Sequence, residues 1–164
     1  MNELKPVVRR AAAYETDYCA WTQDQARQLR GLKPAGLDWE NLAEEVESLG
    51  RSDKRALGSA LKIVLEHLIK WQFQPGKRST SWSDSIDEHR DRMLRILEDS
   101  PSLAGLPEEI LEREYRRARR KALRDASLAS PHVPAGCPFT ADQVLDPDFW
   151  PEGPEGGAGA EQSH

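Results

Sequence analysis

The chain has 164 residues, 38% of them apolar and 31% charged, with a formal net charge of −5. That length buries a real core without metal or disulfide staples, and the acidic balance argues against a general affinity for nucleic acid or anionic membrane, though it leaves room for a local basic patch. Cys19 and Cys137 belong to no CxxC or Cys/His spacing, which excludes a zinc ribbon or finger and fits free thiols in a reducing cytoplasm, while no run approaches the roughly 20 apolar residues of a membrane span or the pattern of a signal peptide.

After an N-terminal arm (1–13), the spacing predicts a first helix over about 17–30, capped by Thr16 or Asp17 and stopped by Gly31, with Tyr18, Trp21, Gln25 and Leu29 on one face. The linker GLKPAGLD turns the chain, and Asp38 caps a second helix. It buries Trp39, Leu42, Ala43, Val46 and Leu49, turns Glu40, Glu44 and Glu47 to water, and ends at Gly50. A third helix runs over about 53–73 and is stopped by Gln74-Pro75-Gly76. Its apolar positions Leu57, Leu61, Val64, Leu65, Leu68, Ile69 and Trp71 surround most of the helix, and Lys62, Glu66 and Lys70 mark a narrow wet edge, so neighbours must cover it from several directions. The fourth helix spans about 82–98 with the stripe Trp82, Ile86, His89, Met93 and Ile96, and Pro101 closes it. A fifth starts near Pro107, with glutamates early and basic residues late as the helix dipole prefers; its inward face is Leu111, Tyr115, Ala118, Ala122 and Ala126. Beyond Leu128 a proline-rich strap carries one short helix over about 140–145 and tucks Phe139, Phe149 and Trp150 against the bundle. The expected fold is therefore all-α: a single-domain helical bundle of about five main helices over 14–152, with an irregular C-terminal strap and a glycine-rich disordered tail over 153–164.

The runs LAEEVESLGRSDKRAL, HLIKWQFQP, RSTSW, CPFT and LDPDFWPE stand in this order along the chain. Together they resemble the bacterial family called domain of unknown function 29, over roughly residues 14–152. The resemblance implies an all-helical bacterial protein and no established activity, so it brings no catalytic or ligand residues. The chain departs from that family's pattern at Gly58, inside the third helix, and at His89, where glutamine is more usual.

Three constellations bear on function. His67 lies about six residues before the third helix ends and His89 about seven after the fourth begins, which puts both roughly 9 to 10 Å from the turn at 1.5 Å per residue. Glu114 falls near the same level, and two neutral imidazoles with a carboxylate are a possible divalent metal set. The competing reading, which we prefer at this level, is a pair of core histidines satisfied by hydrogen bonds, since neither HExxH nor a Glu-x-x-His pair is present. The acidic run Glu40, Glu44, Glu45, Glu47 suggests carboxylate chemistry, but only Glu45 flanks the apolar face, where an ion pair with Arg51 or Arg55 is the simpler role. The basic cluster Arg116, Arg117, Arg119, Arg120, Lys121, Arg124, helped by Lys77 and Arg78, offers phosphate contacts, foremost through Arg116, Arg117 and Arg120. The preferred reading is a solvated helix end whose charges wrap around the helix. No GxSxG or similar elbow places a serine nucleophile, and the tryptophans fall on apolar faces. The reading is a binding or accessory module with a protein partner, no cofactor and no chemistry of its own; a metal-dependent enzyme and a nucleic-acid binder are the alternatives.

Overall fold

The structure, a computed structural model, describes residues 14–31, 36, 38–125 and 132–153. Five α-helices are present among them: α1 (Tyr18–Gly31), α2 (Trp39–Phe73), α3 (Thr80–Asp99), α4 (Leu106–Asp125) and α5 (Ala141–Leu145), with 3₁₀ turns at Pro75–Lys77 and Pro101–Leu103. No strand occurs among the described residues. The all-α expectation holds, and the arm 1–13, Ala126 and the tail beyond Gly153 lie outside the described residues.

Side-chain caps set the helix starts. The Asp17 carboxylate accepts from the Ala20 N–H at 2.8 Å, and Asp38 accepts from the Asn41 N–H at 3.2 Å, each covering a donor that the first helical turn leaves orphaned. Thr140 and Gln143 cap α5 reciprocally, side chain to backbone in both directions.

The expected second and third helices are one helix of 35 residues. Gly50 does not stop it, because an interior glycine costs a helix only about 1 kcal/mol. The residue serves packing instead: a Cβ built on Gly50 would lie 2.5 Å from Thr22 Oγ1 and 3.3 Å from Cys19 Sγ, so α1 approaches α2 more closely there than any side chain would permit. Across the junction Arg51 pairs with Glu44 and, at 3.6 Å, with Glu47, tying the turns before and after Gly50 together.

Contacts divide the chain into two compact units. The first comprises residues up to Arg55 and Ile96–Ala104. In it α1 and the start of α2 run antiparallel, since Cys19 and Thr22 meet Gly50 while Arg30 reaches Glu40, Glu44 and Glu47. The turn after α3 is fastened to the start of α1: Cys19 N–H donates to Ser100 Oγ at 3.1 Å, and Ser102 donates through N–H and Oγ to Asp17. The buried line on α2 is Ala43 and Gly50. Leu42 and Leu49, expected inside, are instead 43% and 46% exposed, because the small residues rather than the large ones face the neighbouring helix.

The second unit comprises Ala56–Arg95 and the chain from Gly105 on. Its core is built from Leu57, Leu61, Val64, Leu65, Leu68 and Ile69 of α2, Ile86 and Met93 of α3, the face of α4 that includes Tyr115, Ala118 and Ala122, and Val133, Phe139 and Val144 of the strap. Glu66 and Lys70, expected at the wet edge of the helix, are buried together. Glu66 accepts from Lys70 Nζ at 2.6 Å and from Lys121 Nζ at 2.8 Å, and Lys121 also donates to Asp125 at 2.9 Å, so the buried carboxylate is compensated by one ammonium buried beside it and a second reaching in from the surface. The strap does tuck in: Phe139 is buried, the Phe139 and Phe149 rings meet edge to face at 6.0 Å, and Trp150 lies 4.6 Å from Trp71. Its anchor is the buried Arg90, whose guanidinium donates to the carbonyls of Val144 and Phe149 at 2.9 Å each and lies 5.5 Å from the Trp150 ring.

Candidate functional site

The histidines and Glu114 are each engaged locally. His67 Nδ1–H donates to the Ile63 carbonyl at 2.9 Å, and His89 Nδ1–H to the Ser85 carbonyl at 2.7 Å, in both cases one turn back along the same helix. A carbonyl only accepts, so the neutral ring in each carries its proton on Nδ1. Burial holds the His67 imidazole below its usual pKa, against the opposing pull of the Ile63 carbonyl. Glu114 is 2% exposed and accepts from Arg113 Nε at 2.9 Å and Arg117 Nη1 at 3.2 Å. Among the described residues no three His, Cys, Asp or Glu side chains group so as to hold a metal ion, so His67, His89 and Glu114 are not drawn into one set.

The ion pair sketched for Glu45 and Arg55 is likewise not formed, both residues being exposed; the acidic run pairs through Glu40, Glu44 and Glu47 with Arg30 and Arg51. Short-range pairing holds the Glu47 carboxyl below the usual range, chiefly through the Arg30 hydrogen bond. Burial holds both thiols toward the neutral form. Burial raises the Cys19 thiol and pushes Cys137 up to about 11, which leaves little thiolate at neutral pH.

What remains is the basic face of α4. At 100° per residue, Arg113, Arg116, Arg117, Arg120 and Arg124 fall within about 100° of one another, opposite Leu111, Tyr115, Ala118 and Ala122. These five charges form a stripe, while Arg119 and Lys121 lie on either side of it, so the basic cluster as read from the sequence does wrap around the helix. Arg113, in the glutamate-rich first half of the helix, adds a member to the stripe, whereas Arg119 is turned to the Val133 carbonyl on one side and Lys121 to the Glu66 network on the other. A loop from the strap forms the opposite wall. Arg119 donates to the Val133 carbonyl through Nε at 3.2 Å and Nη2 at 3.0 Å, the Tyr115 hydroxyl to the Pro134 carbonyl at 2.8 Å, and the Cys137 N–H to Glu112 at 3.2 Å. Burial pushes the Tyr115 hydroxyl up to about 12, so it stays a donor across the physiological range. Between helix and loop lies an open concavity of about 600 Å³ lined by Arg113, Arg116, Arg117, Arg119, Arg120 and Ala135.

The guanidiniums in this concavity are not equivalent. Arg113 and Arg117 share the Glu114 carboxylate, and Arg119 is held by backbone. Arg116 and Arg120, one turn apart, are exposed and make no ion pair with any described residue. Arg78, expected to help this surface, is spent elsewhere: it lies 4.9 Å from the Trp71 ring and donates to the Trp71 carbonyl. None of the described helices is long and apolar enough to cross a membrane.

No curated protein matches the chain. Among solved structures, an α-helical protein of unknown function from Rhodospirillum rubrum shares the fold with a TM-score of 0.67 and 28% sequence identity, covering 84% of this chain and 92% of its own. The model of the family described as "Domain of unknown function DUF29" matches residues 13–150, which span both compact units, every described helix and the Arg90-anchored strap, and the chain therefore belongs to that family.

Proposed function

We propose that this chain is a non-catalytic binding module of the bacterial cytoplasm, and that the arginine face of α4 is where it takes an acidic segment of a partner protein. The observation that carries this reading is the concavity lined by five arginines, two of them with no ion-pair partner among the described residues. A guanidinium presents a planar fork of donors that matches a carboxylate, and a row of forks along about 16 Å of helix, from Arg113 to Arg124 at 1.5 Å per residue, suits a short extended acidic segment. A protein partner is favoured over nucleic acid because the molecule as a whole carries a charge of −5, which repels a long phosphodiester chain more than a short peptide. Two free cysteines fit a reducing compartment.

The test is fluorescence anisotropy with a labelled Glu/Asp-rich peptide and, in parallel, a single-stranded oligonucleotide, each at several salt concentrations, on the wild type and on R116E/R120E. Peptide binding that weakens with salt and is lost in the variant is the expected result. An oligonucleotide that binds more tightly, with a steep salt slope, transfers the surface to nucleic acid; absence of binding by either probe refutes the reading.

A further inference from the structure

The first compact unit holds a second cavity, of about 540 Å³ and opposite electrostatic character, lined by Tyr14, Glu15, Tyr18, Asp53 and Asp99. Three elements build it. Tyr14 and Glu15 precede α1, Tyr18 opens α1, Asp53 lies on α2, and Asp99 is the last residue of α3. The two tyrosines form a corner, their rings 5.7 Å apart at 80°, and Trp21 stiffens it from behind: its ring stacks on Tyr18 at 6.2 Å and meets Tyr14 edge to face at 4.9 Å. Tyr14 nonetheless remains 59% exposed, a large aromatic held in place at the cavity mouth.

The same cavity is lined by three carboxylates. Neither Asp53, Asp99 nor Glu15 makes an ion pair with any described residue, whereas elsewhere in this unit the carboxylates of Glu40, Glu44 and Glu47 are all taken by arginine. Burial and then the charge of Asp99 raise the Asp53 carboxyl, and burial, Asp53 and Tyr14 raise the Tyr18 hydroxyl. The carboxylates are also not grouped as metal ligands, no set of three being within reach of one ion among the described residues.

From the cavity, the aromatic corner and the unpaired carboxylates together, we propose that this pocket binds a monovalent organic cation, an ammonium or guanidinium head. Ring faces attract such a cation through their quadrupole and tolerate its diffuse, weakly hydrated charge, and carboxylates lining the same cavity supply the counter-charge without coordinating it. The volume lies within the range of small-ligand sites and accepts a quaternary ammonium or the end of a lysine or arginine side chain. The head is either that of a free small cation or that of a partner's side chain.

The experiment is an NMR titration of the full chain, following the Trp21 indole N–H and the amides of Tyr18, Asp53 and Asp99. Choline, guanidinium and a trimethyl-lysine peptide are the probes, with 3,3-dimethylbutanol as the neutral isostere of choline. Saturable shifts with the cations and none with the isostere are expected, together with at least tenfold weaker binding in D53N/D99N. Y14L weakens binding and Y14F retains it, because the ring and not the hydroxyl is used. The peptide binding more tightly than choline makes the cation a partner's side chain; equal or weaker binding makes it a free small molecule. Equal shifts with the neutral isostere, no saturation, or affinity unchanged in both Y14L and D53N/D99N overturns the proposal. D53N/D99N removes like-charge repulsion, so its melting temperature, which should not fall, separates loss of the site from loss of the fold.

Discussion

Replacing Arg90 by methionine removes the buried charged anchor of the strap's C-terminal half and leaves an unbranched apolar side chain in its place. Arg90 is 1% exposed and donates to the carbonyls of Val144 and Phe149 at 2.9 Å, with longer contacts to Gln143 at 3.4 Å and Pro147 at 3.5 Å. A hydrogen bond to a charged group contributes about 1.5–3 kcal/mol, so the two short bonds alone are worth roughly 3–6 kcal/mol before the cost of burying the guanidinium is subtracted. That cost is substantial, since burial is the main influence on Arg90 and lowers its pKa. Methionine recovers the desolvation but leaves the carbonyls at the end of α5 without donors, and the strap escapes this penalty by peeling off into water. The loss is then capped by the docking energy of the strap, and about 2–5 kcal/mol is expected, from two carbonyls left unsatisfied at about 1–3 kcal/mol each. R90K retains the charge, but one ammonium cannot span carbonyls on both sides of the α5 end, and about 2–3 kcal/mol is expected. Urea denaturation measures the total, and limited proteolysis shows where it falls: cleavage should appear within residues 137–150 before α4 is attacked. A loss under about 1 kcal/mol in R90M with the strap still protected would refute the reasoning.

Other consequences are independent of the strap. G50A places a methyl against Thr22 Oγ1; overpacking of about 1–3 kcal/mol exceeds the gain of about 1 kcal/mol in helix propensity, so chemical denaturation should show a net loss that shrinks when Thr22 is also replaced by alanine. At Gly58 the nearest atom, Ile110 Cδ1, is at an ordinary 3.4 Å, and G58A should gain about 0.5–1 kcal/mol by the same assay. Burial raises the Glu66 carboxyl, but Lys121 and Lys70 outweigh it and leave the folded pKa below the unfolded one. Its contribution is thus present above the unfolded value near 4.3 and lost as pH falls through the lower folded value, a dependence that E66Q should flatten in acid titrations of stability. Cys137, raised from 9.0 to about 11, should be alkylated about a hundredfold more slowly than a free cysteine at neutral pH while the protein is folded, and at the ordinary rate in denaturant.

Two helix starts were legible because caps are local: Asp17 and Asp38 announce themselves in the sequence and carry the expected hydrogen bonds. The apolar run from Leu57 to Ile69 was legible for the same reason, as its periodicity leaves no dry alternative to burial. What failed depended on a partner distant in sequence. Gly50 is a stop by local rules and a contact point once Thr22 is 2.5 Å from its absent Cβ. Arg90 sits one position beyond His89, and at helical spacing either completes a stripe with Ile86 and Met93; apolar preference selected His89, yet the structure buries Arg90 because the carbonyls of residues 143–149, more than fifty positions away, accept its protons.

The same limit applies to the arginines as a group, and it determines where binding and stability separate. A count of charges assigns every arginine to solvent, but the fold commits Arg90 and Arg119 to carbonyls, Arg78 to Trp71, and Arg30 and Arg51 to glutamates. On the exposed stripe of α4, Arg116 and Arg120 have no such commitment among the described residues, so replacing both by glutamine should change stability by no more than about 0.5 kcal/mol each. R119A removes a charged donor from Val133 and should cost about 1.5–3 kcal/mol, measured by denaturation. If the concavity is a binding surface, the order reverses in the anisotropy assay: the Arg116 and Arg120 pair then carries the affinity for the acidic peptide, while R119A acts only through the position of the strap. Comparable stability losses at all three positions would mean that Arg116 and Arg120 also serve the fold, and the surface would lose the feature that marks it as a site.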